Sequence, residues 1–125
     1  MIVYRTGNLP KPFPRYAKKL RLVEHARSNE YSLYHYDTRI CDLFRLNSGD
    51  YILELKDGNY RSATTKKHIN SFFQYLGLDI HLYQQRYQWY LRLMNDSVIP
   101  YYNNILINID KEDFTILKNY SLSNI

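Results

Sequence analysis

Apolar and polar positions change period several times along the 125-residue chain, and each change predicts an element. The clearest stretch is 69–76. Ile69, Phe72, Phe73 and Leu76 recur at i, i+3, i+4 and i+7, which makes one apolar helix face. Lys66, Lys67, Asn70 and Gln74 fall on the opposite face. Ser62 or Thr64 is placed to cap the helix start, and Gly77 to end it. Upstream, Tyr51, Leu53 and Leu55 share one strand face while Glu54 and Lys56 share the other. Ile40, Phe44 and Leu46 form a preceding strand face that Asp42 interrupts, and the turn signal "NSGD" at 47–50 joins the two strands as an antiparallel hairpin. "DGN" at 57–59 is a second turn.

Downstream, Ile80 and Leu82 alternate, as do Trp89, Leu91 and Leu93, so a second hairpin turns near Gln85 and Arg86. "NDSVIP" at 95–100 reads as a loop, "YYNNILINI" at 101–109 as a strand, and 110–120 as a short helix capped by Asp110. Three of the four prolines sit in "LPKPFP" at 9–14, which predicts an extended N-terminal arm over residues 1–14. Tyr16, Leu20, Val23 and Arg27 give a thin helical stripe, so a short basic helix is expected over 15–28. The sum is an α+β fold. A small antiparallel sheet in a ββαββ core carries one packed amphipathic helix and short terminal helices, with residues 15–125 as a single domain behind the arm.

Composition narrows the class. Hydrophobic residues make up 45%, which is enough for one core. Tyrosine is unusually frequent, with 14 residues. It suits interfaces and base stacking, and it is equally what an AT-rich coding sequence produces. The formal net charge is +5, and it is uneven. Arg5, Lys11, Arg15, Lys18, Lys19, Arg21 and Arg27 face a single acid, Glu24, in the first part of the chain. Such a balance permits nucleic acid or an acidic surface as partner. The single cysteine, Cys41, excludes an internal disulfide. No apolar run nears the roughly 20 residues of a membrane span, and no leader is evident. A host-cell cytoplasmic location follows as the expectation.

The candidate chemistry lies in "GNYRSATTKKHIN", residues 58–70. Helix starts favour acids, yet this one is basic. Arg61, Thr64, Thr65, Lys66 and Lys67, with Asn70 beyond them, supply hydroxyls, an amide and positive charge beside free backbone N–H groups, which suits a phosphate. A capped helix with solvated lysines accounts for the hydroxyls alone. A second candidate is the aromatic and basic hairpin of Tyr83, Arg86, Tyr87, Trp89, Tyr90 and Arg92, whose side chains can stack on bases or divide into a core and a solvent face. His25, His35, His68 and His81 show no metal-ligand spacing. No cofactor, metal or catalytic residue is therefore assigned, and the protein is read as a binder, with a nuclease left open.

Gly58, Tyr60, Arg61, Thr64, Thr65, Lys66, Ile69 and Asn70 resemble a glycine–aromatic–Arg-Thr-x-Thr-Thr-Lys-x-Arg-Ile-Asn pattern of small phage and prophage proteins. Tyr83, Gln84, Arg86, Tyr87, Trp89 and Tyr90 extend the resemblance into a following strand. Asn59 is inserted, Ser62 stands for Thr, and His68 stands where Arg is usual. The resemblance implies a phage origin. It implies a binding role on nucleic acid, or alternatively an anti-CRISPR-like inhibitor that docks on a host nucleoprotein defence complex.

Overall fold

The computed structural model describes residues 1–25, 27–109 and 116–117. It is mostly antiparallel sheet with one helix, an α+β arrangement. Strands β1 (Ile2–Arg5), β2 (Leu20–His25), β3 (Glu30–His35), β4 (Thr38–Arg45) and β5 (Tyr51–Leu55) lead into helix α1 (Ala63–Leu76). Strands β6 (His81–Gln85), β7 (Gln88–Arg92), β8 (Val98–Pro100), β9 (Ile105–Asn108) and β10 (Ile116–Leu117) follow. The order ββαββ is present along the chain, but its two hairpins lie in different sheets. One sheet has seven strands in the order β1-β2-β3-β4-β5-β9-β10, and the other has three in the order β6-β7-β8.

The basic helix expected over 15–28 is instead turn and strand β2. Leu20 and Leu22 alternate into the core, and β2 pairs with both β1 and β3. Pairing on both sides outweighs the thin helical stripe. Residues 1–14, read as an arm, contribute β1 to the sheet and fold back through Leu9 and Phe13, both buried in the core. The expected C-terminal helix over 110–120 lies outside the described residues except at 116–117, which are strand. Residues 98–100, read as loop, form the short edge strand β8.

In β4 the expected face is inverted. Cys41 and Leu43 enter the core, while Asp42 and Phe44 take the other side, and Ile40 is buried as well. A register shift opposite, between Leu33 and Tyr34, accompanies this change. On that other face Asp42 accepts a 2.6 Å hydrogen bond from the buried Ser32 and pairs with Arg39 at 3.5 Å, so the apparent interruption is a partly buried polar pair.

Helix α1 behaves as its pattern predicts. Ile69, Phe72 and Phe73 are fully buried and Leu76 is half-buried. Gly77 ends it in the left-handed region at φ 71°, with Leu78 N–H donating to the Phe73 carbonyl at 2.9 Å. Ile69, Phe72 and Phe73 join one apolar cluster with Leu53 and Leu55 of the large sheet and Leu82, Trp89 and Leu91 of the small one.

Asn70 fixes the helix against the small sheet. Its side-chain amide donates to the Leu82 carbonyl at 2.8 Å and accepts from the Leu82 N–H at 2.8 Å. Strand β6 is an edge strand, so these are the outward groups that another strand would otherwise satisfy. Asn70 therefore does not belong to the solvent face on which the pattern placed it. Asn70→Ala strands two backbone groups at once and should lower the unfolding free energy by about 2–3 kcal/mol. Urea denaturation checks this through a lower midpoint at an unchanged slope.

Candidate functional site

The loop between β5 and α1 carries the head of the helix, and a buried carboxylate organises it. Asp57 receives the Asn59 N–H at 2.8 Å and the Arg61 Nε–H at 3.1 Å, while its own N–H donates to the Asn103 side chain at 2.9 Å. Gly58 has φ 65°, and a side chain there would meet Thr38 at 3.2 Å, so this close, left-handed position suits glycine. The Arg61 guanidinium carbon lies 5.1 Å from the Tyr101 ring centre and 5.8 Å from that of Trp89. Burial, with Asp57 beside it, pushes the Tyr101 phenol far above its usual range. Arg61 is thus neutralised by Asp57 and anchored over two aromatic rings.

Ser62 is the cap. It adopts an extended backbone (φ −119°, ψ 158°), and its hydroxyl accepts from the Thr65 N–H at 3.0 Å. The same hydroxyl donates to Thr65 Oγ1 at 3.0 Å, and Thr65 is buried. Thr65 therefore belongs to the cap. With Ser62 as the cap, Lys66 and Lys67 are the fourth and fifth helical residues. The dipole penalty read for them is accordingly small, since that effect fades within the first turn. No acid occupies that first turn.

A cleft of about 690 Å³ opens at this helix head. Lys18, Tyr36, Tyr60, Thr64 and Lys67 line it, with Asp57 and His35. His68 lines it as well and is only 3% exposed. Its ring stands edge-on to that of His35 at 4.8 Å. Among the described residues neither nitrogen of His68 has a hydrogen-bond partner. Burial, then the neighbouring His35 and Lys67, lowers its pKa from 6.5 to about 4, so at neutral pH the ring is uncharged. Burial lowers His35 as well.

Strand β7 of the second hairpin meets the helix head through Trp89. Arg61 precedes the helix and lies over Trp89, two residues from the hairpin tip at Arg86 and Tyr87. Gln85 pairs with Gln88, and the two tip residues have φ 52° and 67°, the signs of a type I′ turn. Asn and Gly usually fill such a turn, so Arg and Tyr hold it under strain. Tyr87 is 92% exposed. Behind the tip, Tyr83 and Tyr90 stack across the strands with ring centres 5.8 Å apart. Trp89 is buried, and Arg92 is paired with Asp79 at 2.9 Å and Asp96 at 3.8 Å.

Of the residues expected to bind an anion, Thr64 and Lys67 line the cleft, Lys66 is half-buried beside Lys67, and Arg86 and Tyr87 form the tip. Arg61, Thr65 and Asn70 are engaged within the protein. His68, His35 and Tyr36 were not expected in the site, and Lys18 entered only as part of the basic N-terminal segment. The signal for His68 was available, because the apolar stripe of Ile69, Phe72 and Phe73 extends back by fours to Thr65 and His68. Among the described residues no three His, Cys, Asp or Glu side chains form a metal-binding group, and no helix is long and apolar enough to cross a membrane.

A family model described as Kyanoviridae Gp96 protein matches residues 15–114 of the chain. No curated protein and no solved structure matches it.

Unfolded His68 takes up its proton near pH 6.5, whereas the folded ring does so only at about 4. Between these values the unfolded chain binds more protons, so stability falls as pH falls, by about 2–3 kcal/mol in all. His68→Gln should remove this component, as measured by the difference in urea midpoint between pH 7 and pH 4.

Proposed function

The chain belongs to the Kyanoviridae Gp96 family, a phage protein family, and from that premise we propose that it is a phage accessory protein that binds nucleic acid. The binding face comprises the head of α1, its cleft and the β6–β7 tip. The observation that carries the reading is one of charge. Lys18 and Lys67 line the cleft, Lys66 precedes Lys67 on the helix, and none of these, nor Arg86 at the tip, makes an ion pair among the described residues, while the cleft's own carboxylate, Asp57, is neutralised by Arg61. The backbone N–H groups of Ala63 and Thr64, two exposed residues at the helix head, have no partner among the described residues. Such a surface binds phosphate oxygens. Tyr60 and Tyr87, 74% and 92% exposed, offer rings on which bases stack.

A second reading is an inhibitor that docks on a host defence complex of the anti-CRISPR kind. The open edge of β1, with Met1, Ile2 and Val3 exposed, favours it, since an edge strand can pair with a partner's strand. A stable stoichiometric complex with a host protein, without affinity for free nucleic acid, would select this reading.

Fluorescence anisotropy with single- and double-stranded DNA and RNA, at two salt concentrations, tests the first reading. Affinity should fall steeply with salt. Lys66→Glu combined with Lys67→Glu should abolish binding while circular dichroism stays unchanged. Absence of binding at low salt overturns the reading. At the tip, Arg86→Asn with Tyr87→Gly relieves two left-handed residues and should raise stability by about 1–2 kcal/mol. The same change should weaken nucleic-acid binding several-fold. If affinity is untouched, the tip lies outside the interface.

A further inference from the structure

The cleft at the head of α1 contains a feature that a surface for phosphate alone does not require. We propose that it is a pocket for one unstacked nucleotide, with the base edge on His68, the base plane against Tyr36 and Tyr60, and the phosphate at the helix start by Thr64 and Lys67. The proposal rests on the nucleic-acid reading above and sharpens it to single-stranded or locally unpaired strands.

Three observations support it. The first is the state of His68. Its ring is 3% exposed, and both nitrogens lack a partner among the described residues. Buried polar groups are nearly always satisfied, so an unmet pair lining a cleft marks a place for a ligand group. Burial and the adjacent His35 and Lys67 keep the ring neutral. A neutral imidazole has one N–H and one lone pair. The two nitrogens point apart, so one ligand group meets one of them. A phosphate oxygen can only accept, whereas the edge of a nucleobase carries donors and acceptors side by side and can meet whichever of the N–H and the lone pair faces the cleft.

The second observation is shape. About 690 Å³ lies within the range of small-molecule sites and excludes a duplex. A single base turned out of its stack is the part of a nucleic acid that can enter. The third is the order of the lining. Tyr36 and Tyr60, 52% and 74% exposed, line the cleft from the β3–β4 turn and from the loop before α1, while His68 is buried. Thr64 and Lys67 lie on the exposed helix head, where the backbone N–H groups of Ala63 and Thr64 remain to receive phosphate. Apolar and aromatic walls with a few convergent polar groups suit a base, and a helix N-terminus with a lysine suits its phosphate.

Titration calorimetry of the full chain at pH 7 tests this with three kinds of probe. These are the four ribonucleoside 5′-monophosphates, ribose 5-phosphate, which lacks the base, and the nucleosides, which lack the phosphate. At least one monophosphate should bind 10-fold or more tightly than both its nucleoside and ribose 5-phosphate. His68→Phe should reduce its affinity to that of ribose 5-phosphate. His68→Gln, which keeps a donor and an acceptor, should restore most of it and shows that loss of fold is not the cause. Lys67→Glu should reduce affinity to that of the nucleoside. In parallel, the imidazole ¹⁵N resonances of His68 should shift with monophosphate and stay fixed with ribose 5-phosphate.

The pocket is overturned if no monophosphate binds more tightly than ribose 5-phosphate, or if His68→Phe binds as well as the parent chain. Oligonucleotide binding that survives either result leaves the surface reading standing without the pocket. Monophosphate binding without oligonucleotide binding supports the pocket and overturns the surface.

Discussion

The head of helix α1 is where it is because one amide side chain imitates a peptide group. Asn70 gives the outward N–H and C=O of Leu82 the pairing that a neighbouring strand would have given. The helix is thereby held to the edge of a three-stranded sheet while Ile69, Phe72 and Phe73 remain in the shared core. Apolar packing alone tolerates sliding, since it has no direction. Two hydrogen bonds to one residue do not, and they fix the axial position of the helix. That position brings Arg61, just ahead of the helix, over Trp89 of strand β7.

From there the basic residues divide into two kinds. Arg61 is occupied by Asp57, Tyr101 and Trp89, and Arg92 by Asp79 and Asp96. These are structural cations, and their charges are largely compensated. Lys18, Lys66, Lys67 and Arg86 have no such partners among the described residues. An electrostatic field at the helix head is therefore not the sum of the basic residues in the sequence. It is what remains after the ion pairs are formed, and Lys18 and Lys67 of that remainder line the cleft.

How much of this was legible depended on range. Helix α1, its Gly77 stop and the turn at Arg86 were all readable, because each rests on neighbours within one or two turns of chain. Strand β2 was not, although Leu20 and Leu22 alternate. A helical stripe through the same residues competed with that alternation, and only pairing with β1 and β3 decides between them. The division of the strands into two sheets was hidden for the same reason. Lys67 and Thr64, singled out from local sequence, do line the cleft, and Asn70 was put on the wrong face because a polar residue there can point to water or to a strand edge. Arg61 looked free because Asp57, four residues earlier, reads as part of a turn. It is the burial of Asp57, 5% exposed, that makes it a partner.

The Asp57–Arg61 pair gives the cleft a reserve of charge. Asp57 lines the cleft and holds Arg61 in place, so a single residue sets how much positive charge the helix head displays. An amide at that position would keep much of the shape and release the guanidinium from its partner. The electrostatic strength of this face can thus change without any substitution among the basic residues themselves.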